Sequence, residues 1–269
     1  MQKKLEQVKC AEWWEDGAGF FGHGYMEGDN SYEGYLSTPL TLENRTRIEV
    51  EGVKRLLELH ADQRILDCPC GYGRHSLGLA RAGFQVVGVD INSEELRVAH
   101  QGIRDLTNIQ FVKCDMRALD FYNEFDAAIN MFFSFGFFQT DEENFQVLRN
   151  FYNALKPGGR FLMHTDVNIP QLLNGKYKFT EKRRLSSGRI LQLVDSYDPQ
   201  QKRINGKWTI TDGENIAEDL PPYSVRVFSY EEFAEWCYRA GFKTVHGYGN
   251  WSGAQLTPDS EDMMVVAEK

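Results

Sequence analysis

The chain has 269 residues, 42% of them hydrophobic and 26% charged, which supports one large domain carrying an insertion and excludes wholesale disorder. Thirty lysines and arginines against 39 acids leave a net charge of −9, a poor match for a nucleic-acid backbone or an anionic membrane surface. The most apolar stretch, residues 131–138, is far short of the roughly 20 residues of a membrane span, and the five cysteines are odd in number. The reading is a reduced, cytoplasmic protein with no secretory leader, no membrane partner and no nucleic-acid partner.

Residues 1–40 are dense in Trp, Phe, Tyr and Gly without clean periodicity, as in WWEDGAGFFGHGY. Such a segment packs over something, either as a terminus draped on the core or as a lid that brings His23 and Tyr25 to a pocket. A helix is predicted over 41–60, with Ile48, Val53, Leu56 and Leu57 on one face. From residue 63 to 167, short β-rich runs alternate with helical patterns. Strands are predicted at 64–68, 85–90, 109–115, 125–131 and 160–166, and helices at 74–82, after Asn92 or Ser93, and at 142–155. That alternation predicts βαβ units and a mostly parallel sheet covered on both faces. Residues 176–229 break the pattern and read as an antiparallel insertion of about three strands. A helix at 230–240 and two closing strands at 243–248 and 263–268 follow. The predicted organisation is therefore a lid and helix at 1–60, a core at 61–168 and 229–269, and an insertion at 169–228. The insertion is either a substrate cap or a contact between two copies of the chain in a homodimer.

The run ILDCPCGYGRHS carries the most chemistry. An apolar strand ends in Asp67 and turns through Gly71 and Gly73 directly into a helix, where glycines admit a ligand close to the backbone and the helix start offers free N–H groups. The carboxyl ends of strands in open α/β sheets are where ligands bind. Twenty-three residues on, the second strand ends in Asp90, placed to accept both hydroxyls of a ribose, with Ile91 next to it. The third ends in Asp115, followed by Met116, an acid and an apolar side chain that can flank a purine. A strand-end Asp alone is usually a turn or helix cap; three in series beside a glycine turn are not explained that way. The third glycine of the dinucleotide fingerprint is replaced by Ser76, and Asp67 would repel a pyrophosphate. A cationic sulfonium bearing an amine and an adenosyl ribose meets all of these constraints.

These residues resemble motif I of the class I S-adenosylmethionine-dependent methyltransferases, and LKPGGRFLM resembles the family's turn into its fifth strand. The likeness covers residues 63–167 well and the last elements more loosely. It departs at Pro69, which stands where the first glycine of the loop is usual, as in a bacterial small-molecule branch. The resemblance implies a Rossmann-like seven-stranded sheet with one reversed strand, and S-adenosylmethionine as cofactor with S-adenosylhomocysteine as product. By the same likeness Asp67, Gly71 and Gly73 hold the methionine portion, Asp90 the ribose, and Asp115 with Met116 the adenine, with Pro69 and Ile91 also expected at the cofactor. Asn130 and Met131 then lie near the methyl group; Tyr25, if the aromatic segment is a lid, is expected to touch the cofactor, set against a purely structural role.

The expected reaction is methyl transfer to an oxygen, nitrogen or carbon of a small-molecule acceptor, aromatic or anionic in character. The run NMFFSFGFF, residues 130–138, is either core or an apolar acceptor pocket whose rings tolerate a sulfonium. His164, at the end of the fifth strand, is the candidate general base, set against a core histidine; His75 reads as a first-turn helix residue. Lys176, Lys178, Lys182, Arg183, Arg184 and Arg189 form either an anion-receiving patch or a solvated strand face. Cys68 and Cys70 lack partners at zinc spacing, so no metal is expected. The alternatives are a nicotinamide-dependent oxidoreductase on a similar sheet, a protein methyltransferase, and a module that binds the nucleoside without transfer.

Overall fold

A computed structural model describes residues 12–30 and 41–269; the rest of the aromatic segment, 1–11 and 31–40, lies outside the described residues. A seven-stranded sheet forms the centre. Its strands are β1 (Arg64–Asp67), β2 (Gln85–Asp90), β3 (Ile109–Lys113), β4 (Phe125–Asn130), β5 (Leu155–Thr165), β11 (Thr244–Tyr248) and β12 (Met263–Glu268). They lie in the order β11-β12-β5-β4-β1-β2-β3. β1 to β5 run parallel, and β12 runs antiparallel between β5 and β11.

Successive residues of a buried strand face opposite sides, so each side of this sheet has its own core. Ile65, Ala127, Ile129, Leu162 and Met264 pack with Val50, Val53, Leu56 and Leu79. These come from α2 (Leu42–Leu56) and α3 (Arg74–Arg81). On the other side Leu66, Ala128, Phe161, Met163 and Val265 pack with Val147, Leu148, Phe151 and Phe233. These belong to α5 (Asp141–Ala154) and α7 (Tyr230–Ala240). The helix ends follow local chemistry. Thr41 caps α2, Asn92 caps α4 (Ser93–Gln101), and Thr140 with Glu143 forms a reciprocal capping box on α5.

The insertion is larger than predicted. After a short helix α6 (Ile169–Asn174), five strands form a second, antiparallel sheet. They are β6 (Thr180–Arg184), β7 (Ile190–Asp198), β8 (Arg203–Asp212), β9 (Asn215–Asp219) and β10 (Tyr223–Arg226). The aromatic segment also gains a helix, α1 (His23–Asn30). It is pinned to the insertion: Glu27 accepts from Ser187 N–H at 3.2 Å and pairs with Arg189, and the Tyr25 ring stacks on Trp208 at 5.5 Å. Residues 12–30 thereby form a strap held between the two sheets.

Candidate functional site

The cleft lies at the carboxyl ends of β1, β2, β3 and β4, beneath the strap, with about 840 Å³ of atom-free space reaching out to solvent. Its floor is the turn after β1. Cys70 N–H donates to Val89 O at 2.9 Å, Gly71 N–H to Asp90 Oδ2 at 2.8 Å, and Gly73 N–H to Cys70 O at 3.0 Å. The Cys68–Pro69 peptide is cis. Gly73 takes φ +82° at the start of α3, and a Cβ there would fall 2.8 Å from the Phe111 ring, so glycine is required by both conformation and space. Asp90 also accepts from Asn92 N–H at 2.8 Å. Its pKa is raised by burial, against the pull of the backbone N–H groups of Asn92, Gly71 and Ile91.

Of the twelve residues expected at the site, eight border the cleft: Tyr25, Pro69, Gly71, Asp90, Ile91, Asp115, Met116 and Met131. Asp67, Gly73 and Asn130 sit behind the turn instead. Asp67 is buried, with Oδ2 accepting from the Ser76 hydroxyl and Oδ1 left without a partner. Burial, reinforced by the Asp90 charge, pushes its pKa up to about 7. Asn130 is fully buried and donates from Nδ2 to Cys68 O at 3.0 Å, so it holds the turn from below rather than facing a ligand.

The twelfth residue, His164, does not reach the cleft. It is fully buried on β5, with its ring against Trp251 at 4.8 Å and Phe132 at 4.6 Å. Its Nδ1 accepts from Phe132 N–H at 3.2 Å, which leaves the proton on Nε2, facing Asp262 Oδ1 at 3.4 Å. The strand end was read correctly, but the chain after β4 folds across it. Phe132 and Phe133 both take left-handed backbone, φ +52° and +56°, and cover the histidine. Aromatic residues in that region cost on the order of 1–3 kcal/mol each, and His164 is one of the contacts that holds them there.

The histidine that does border the cleft is His75. Its Nε2 lies 2.9 Å from Glu49 Oε2, and its ring stacks on Phe132 at 5.6 Å. Glu49 is fully buried on α2. Against the burial that works to raise it, Arg74, His75 and Arg45 hold its pKa down to about 2. Burial and the neighbouring Arg74 charge push His75 down to about 4, so its ring is neutral at pH 7. Asp29, from α1, joins this wall through a hydrogen bond from the Tyr72 hydroxyl and an ion pair with Arg45 at 2.7 Å. None of these contacts had a local signal. Asp29, Glu49 and Tyr72 come from three separate elements, and only their assembly makes a site. Glu95 also borders the cleft, although by sequence it is an ordinary acid in the first turn of a helix.

Three other expectations are resolved by the geometry. Met131, Phe132, Phe137 and Phe138 border the cleft, whereas Phe135 packs into the core against Phe228 and Phe233. No residue of 169–228 borders the cleft; the second sheet backs the strap from behind, through Trp208 and Tyr223. The basic run is spent on ion pairs and exposed positions: Lys176 with Asp259, Arg183 with Glu181, Arg189 with Glu27 and Glu218. No group of His, Cys, Asp and Glu among the described residues has the arrangement of a metal site. No described helix is long and apolar enough to cross a membrane.

Chemically, the cleft is acidic at the turn and aromatic beyond it. Asp29, Asp90, Glu95 and Asp115 border it, and among its described lining residues Arg74 is the one guanidinium or ammonium, already paired with Glu49. A diphosphate would meet carboxylates on every side. The same carboxylates would attract a cation.

Comparison with known proteins agrees. Residues 65–159 match the model of a methyltransferase domain family. The chain is 26% identical over 209 residues to the putative methyltransferase YqeM of Bacillus subtilis, covering 77% of this chain and 84% of that protein. It is 26% identical over 234 residues to glycine/sarcosine N-methyltransferase of Halorhodospira halochloris, covering 84% and 83%. Among solved structures, an S-adenosylmethionine-dependent methyltransferase from Clostridium acetobutylicum superposes with a TM-score of 0.73 at 15% identity, over 91% of this chain and 99% of that one.

Proposed function

We propose that the chain is a class I S-adenosylmethionine-dependent methyltransferase, as its matched methyltransferase domain and its methyltransferase relatives support, whose cleft holds the cofactor across the ends of β1 to β3 and methylates a small molecule at the Phe132 end. The observation that carries the reading is the acid-lined glycine turn, where Asp90 accepts from Gly71 N–H and buried Asp67 keeps one oxygen without a partner. The residues fit the cofactor. Asp90 would hold the ribose, Asp115, Met116 and Ile91 the adenine, and Gly71 the amino-acid portion, with buried Asp67 lending its charge from behind the turn. When bound, the cofactor supplies a methyl carbon already activated by its sulfonium, with a neutral thioether as leaving group.

The protein's own part is then alignment and exclusion of water. Phe21, Phe132 and Phe137 wall the far end of the cleft, and their π faces suit a cation by about 0.5–2 kcal/mol each. His75 replaces His164 as the group that can take a proton from the acceptor. Glu49 fixes the Nε2–H tautomer and leaves the Nδ1 lone pair open, and Nδ1 makes no hydrogen bond among the described residues. The glycine/sarcosine relative makes small amines the first acceptor class to try. Calorimetry with S-adenosylhomocysteine and with NAD tests the reading: the first should bind and the second should not. Binding of NAD alone would overturn it.

A further inference from the structure

Glu95 is the one carboxyl at the cleft that the reading above leaves without a task. It lies in the first turn of α4, is 2% exposed, and borders the cleft. Acids in a first turn normally face water, where the helix dipole favours them, or cap free N–H groups. Neither role is open here, because the Asn92 side chain already accepts from Glu94 N–H and Glu95 N–H at 3.0 Å each. The Glu95 side chain instead reaches back over the glycine turn, so closely that a Cβ on Gly71 would come 2.7 Å from its Oε2. Its Oε1 is buried and has no hydrogen-bond partner among the described residues.

An unpaired buried carboxyl is costly, and leucine or methionine would fill the same volume without that cost. Burial, with the charges of Asp90, Asp29 and Glu94 around it, raises the Glu95 pKa well above the ordinary carboxylate range. A carboxylate accepts hydrogen bonds and a protonated carboxyl also donates one, so in either state it suits a hydroxyl partner. Position narrows the partner further. Asp90 accepts from the Gly71 N–H, and Glu95 overhangs the same residue, so the two carboxyls meet at one glycine.

We propose that Glu95 is a second ribose contact, meeting the sugar hydroxyls where its side chain overhangs Gly71. The proposal rests on the cofactor reading above, and the test separates the two. Calorimetry on the full chain compares S-adenosylhomocysteine with 5′-methylthioadenosine, which keeps ribose and adenine but lacks the amino-acid portion. Glu95→Leu should weaken both by about tenfold and by the same factor, while Glu95→Gln stays within about threefold of the parent chain. The melting temperature of Glu95→Leu should stay level or rise, because a buried polar group is removed; Glu95→Met, unbranched and of similar volume, serves if the leucine packs badly. Unchanged affinities in Glu95→Leu and Glu95→Met overturn the proposal. So does weakening of S-adenosylhomocysteine alone, which would place the contact on the amino-acid portion. Failure of the parent chain to bind either nucleoside would instead overturn the cofactor reading, and this proposal with it.

Discussion

The imidazole of His75 lies 2.9 Å from the carboxylate of Glu49, and the two residues come from different helices, α3 and α2. The pair is buried beside Arg74, so the carboxylate stays charged and the ring stays neutral. The His75 titration should fall near pH 4, against about 6.5 for a free imidazole. Below pH 6.5 the unfolded chain binds a proton that the folded chain refuses. This residue's effect on stability is therefore harmless above about pH 6.5 and grows unfavourable as the pH falls toward 4. Proton NMR of the ring Cε1–H measures the midpoint, and a value at or above 6 would contradict the arrangement.

Asp90→Ala removes a carboxylate that both orders Gly71 and faces the cleft. Affinity for S-adenosylhomocysteine should drop by about 1–3 kcal/mol, roughly ten- to a hundredfold. Calorimetry gives the constant directly, and an unchanged value would remove Asp90 from the ribose site.

His164→Ala opens a cavity under Phe132 and leaves its N–H without an acceptor. The expected cost is about 2–4 kcal/mol of folding stability, read from denaturant melts, with cofactor affinity within about twofold of the parent. A stable variant with lost turnover would restore His164 as a reacting group.

Gly73→Ala forces a Cβ into left-handed backbone and into contact with Phe111 and Ala99. About 2–4 kcal/mol of stability should be lost, and the helix start beneath the cleft should shift. A melting temperature equal to that of the parent chain would show that the turn has more room than its geometry allows.

The central strands were legible because a strand buried on both faces is an unbroken apolar run, as in RILD and QVVGVD, and the strand ends carry the site acids wherever the topology is parallel. β5 begins earlier than expected, at Leu155. Residues there are tied to the far end of the chain, with Gly158 N–H donating to Lys269 O at 3.1 Å, a pairing no local pattern announces. β6 (TEKRR) and β9 (NIAED) were not predicted as separate strands, since both are charged and largely solvent-facing. At the site, Asp90, Asp115 and Met116 follow from strand position alone. Asp29 and Glu95 do not: each borders the cleft through contacts between elements distant in sequence, and such contacts leave no periodicity. His164 was misplaced for a related reason, because two left-handed aromatic residues put a lid on a strand end that sequence shows as open.

The strap is fastened at both ends of the cleft. Asp16 accepts from Ser93 N–H and the Ser93 hydroxyl at 2.9 Å each and pairs with Lys113 at 2.5 Å, while Asp29 grips the glycine turn at the other end. On the cofactor reading proposed above, loosening of this strap would widen the exit for the spent nucleoside from a cleft that already reaches solvent. The outer fastening is half-exposed and ionic, the inner one only partly exposed. Raising ionic strength weakens an exposed ion pair more than a partly buried contact, so it should loosen the first more than the second. Turnover would then be paced by how often one end of a strip of chain comes unbuttoned, with salt as the throttle.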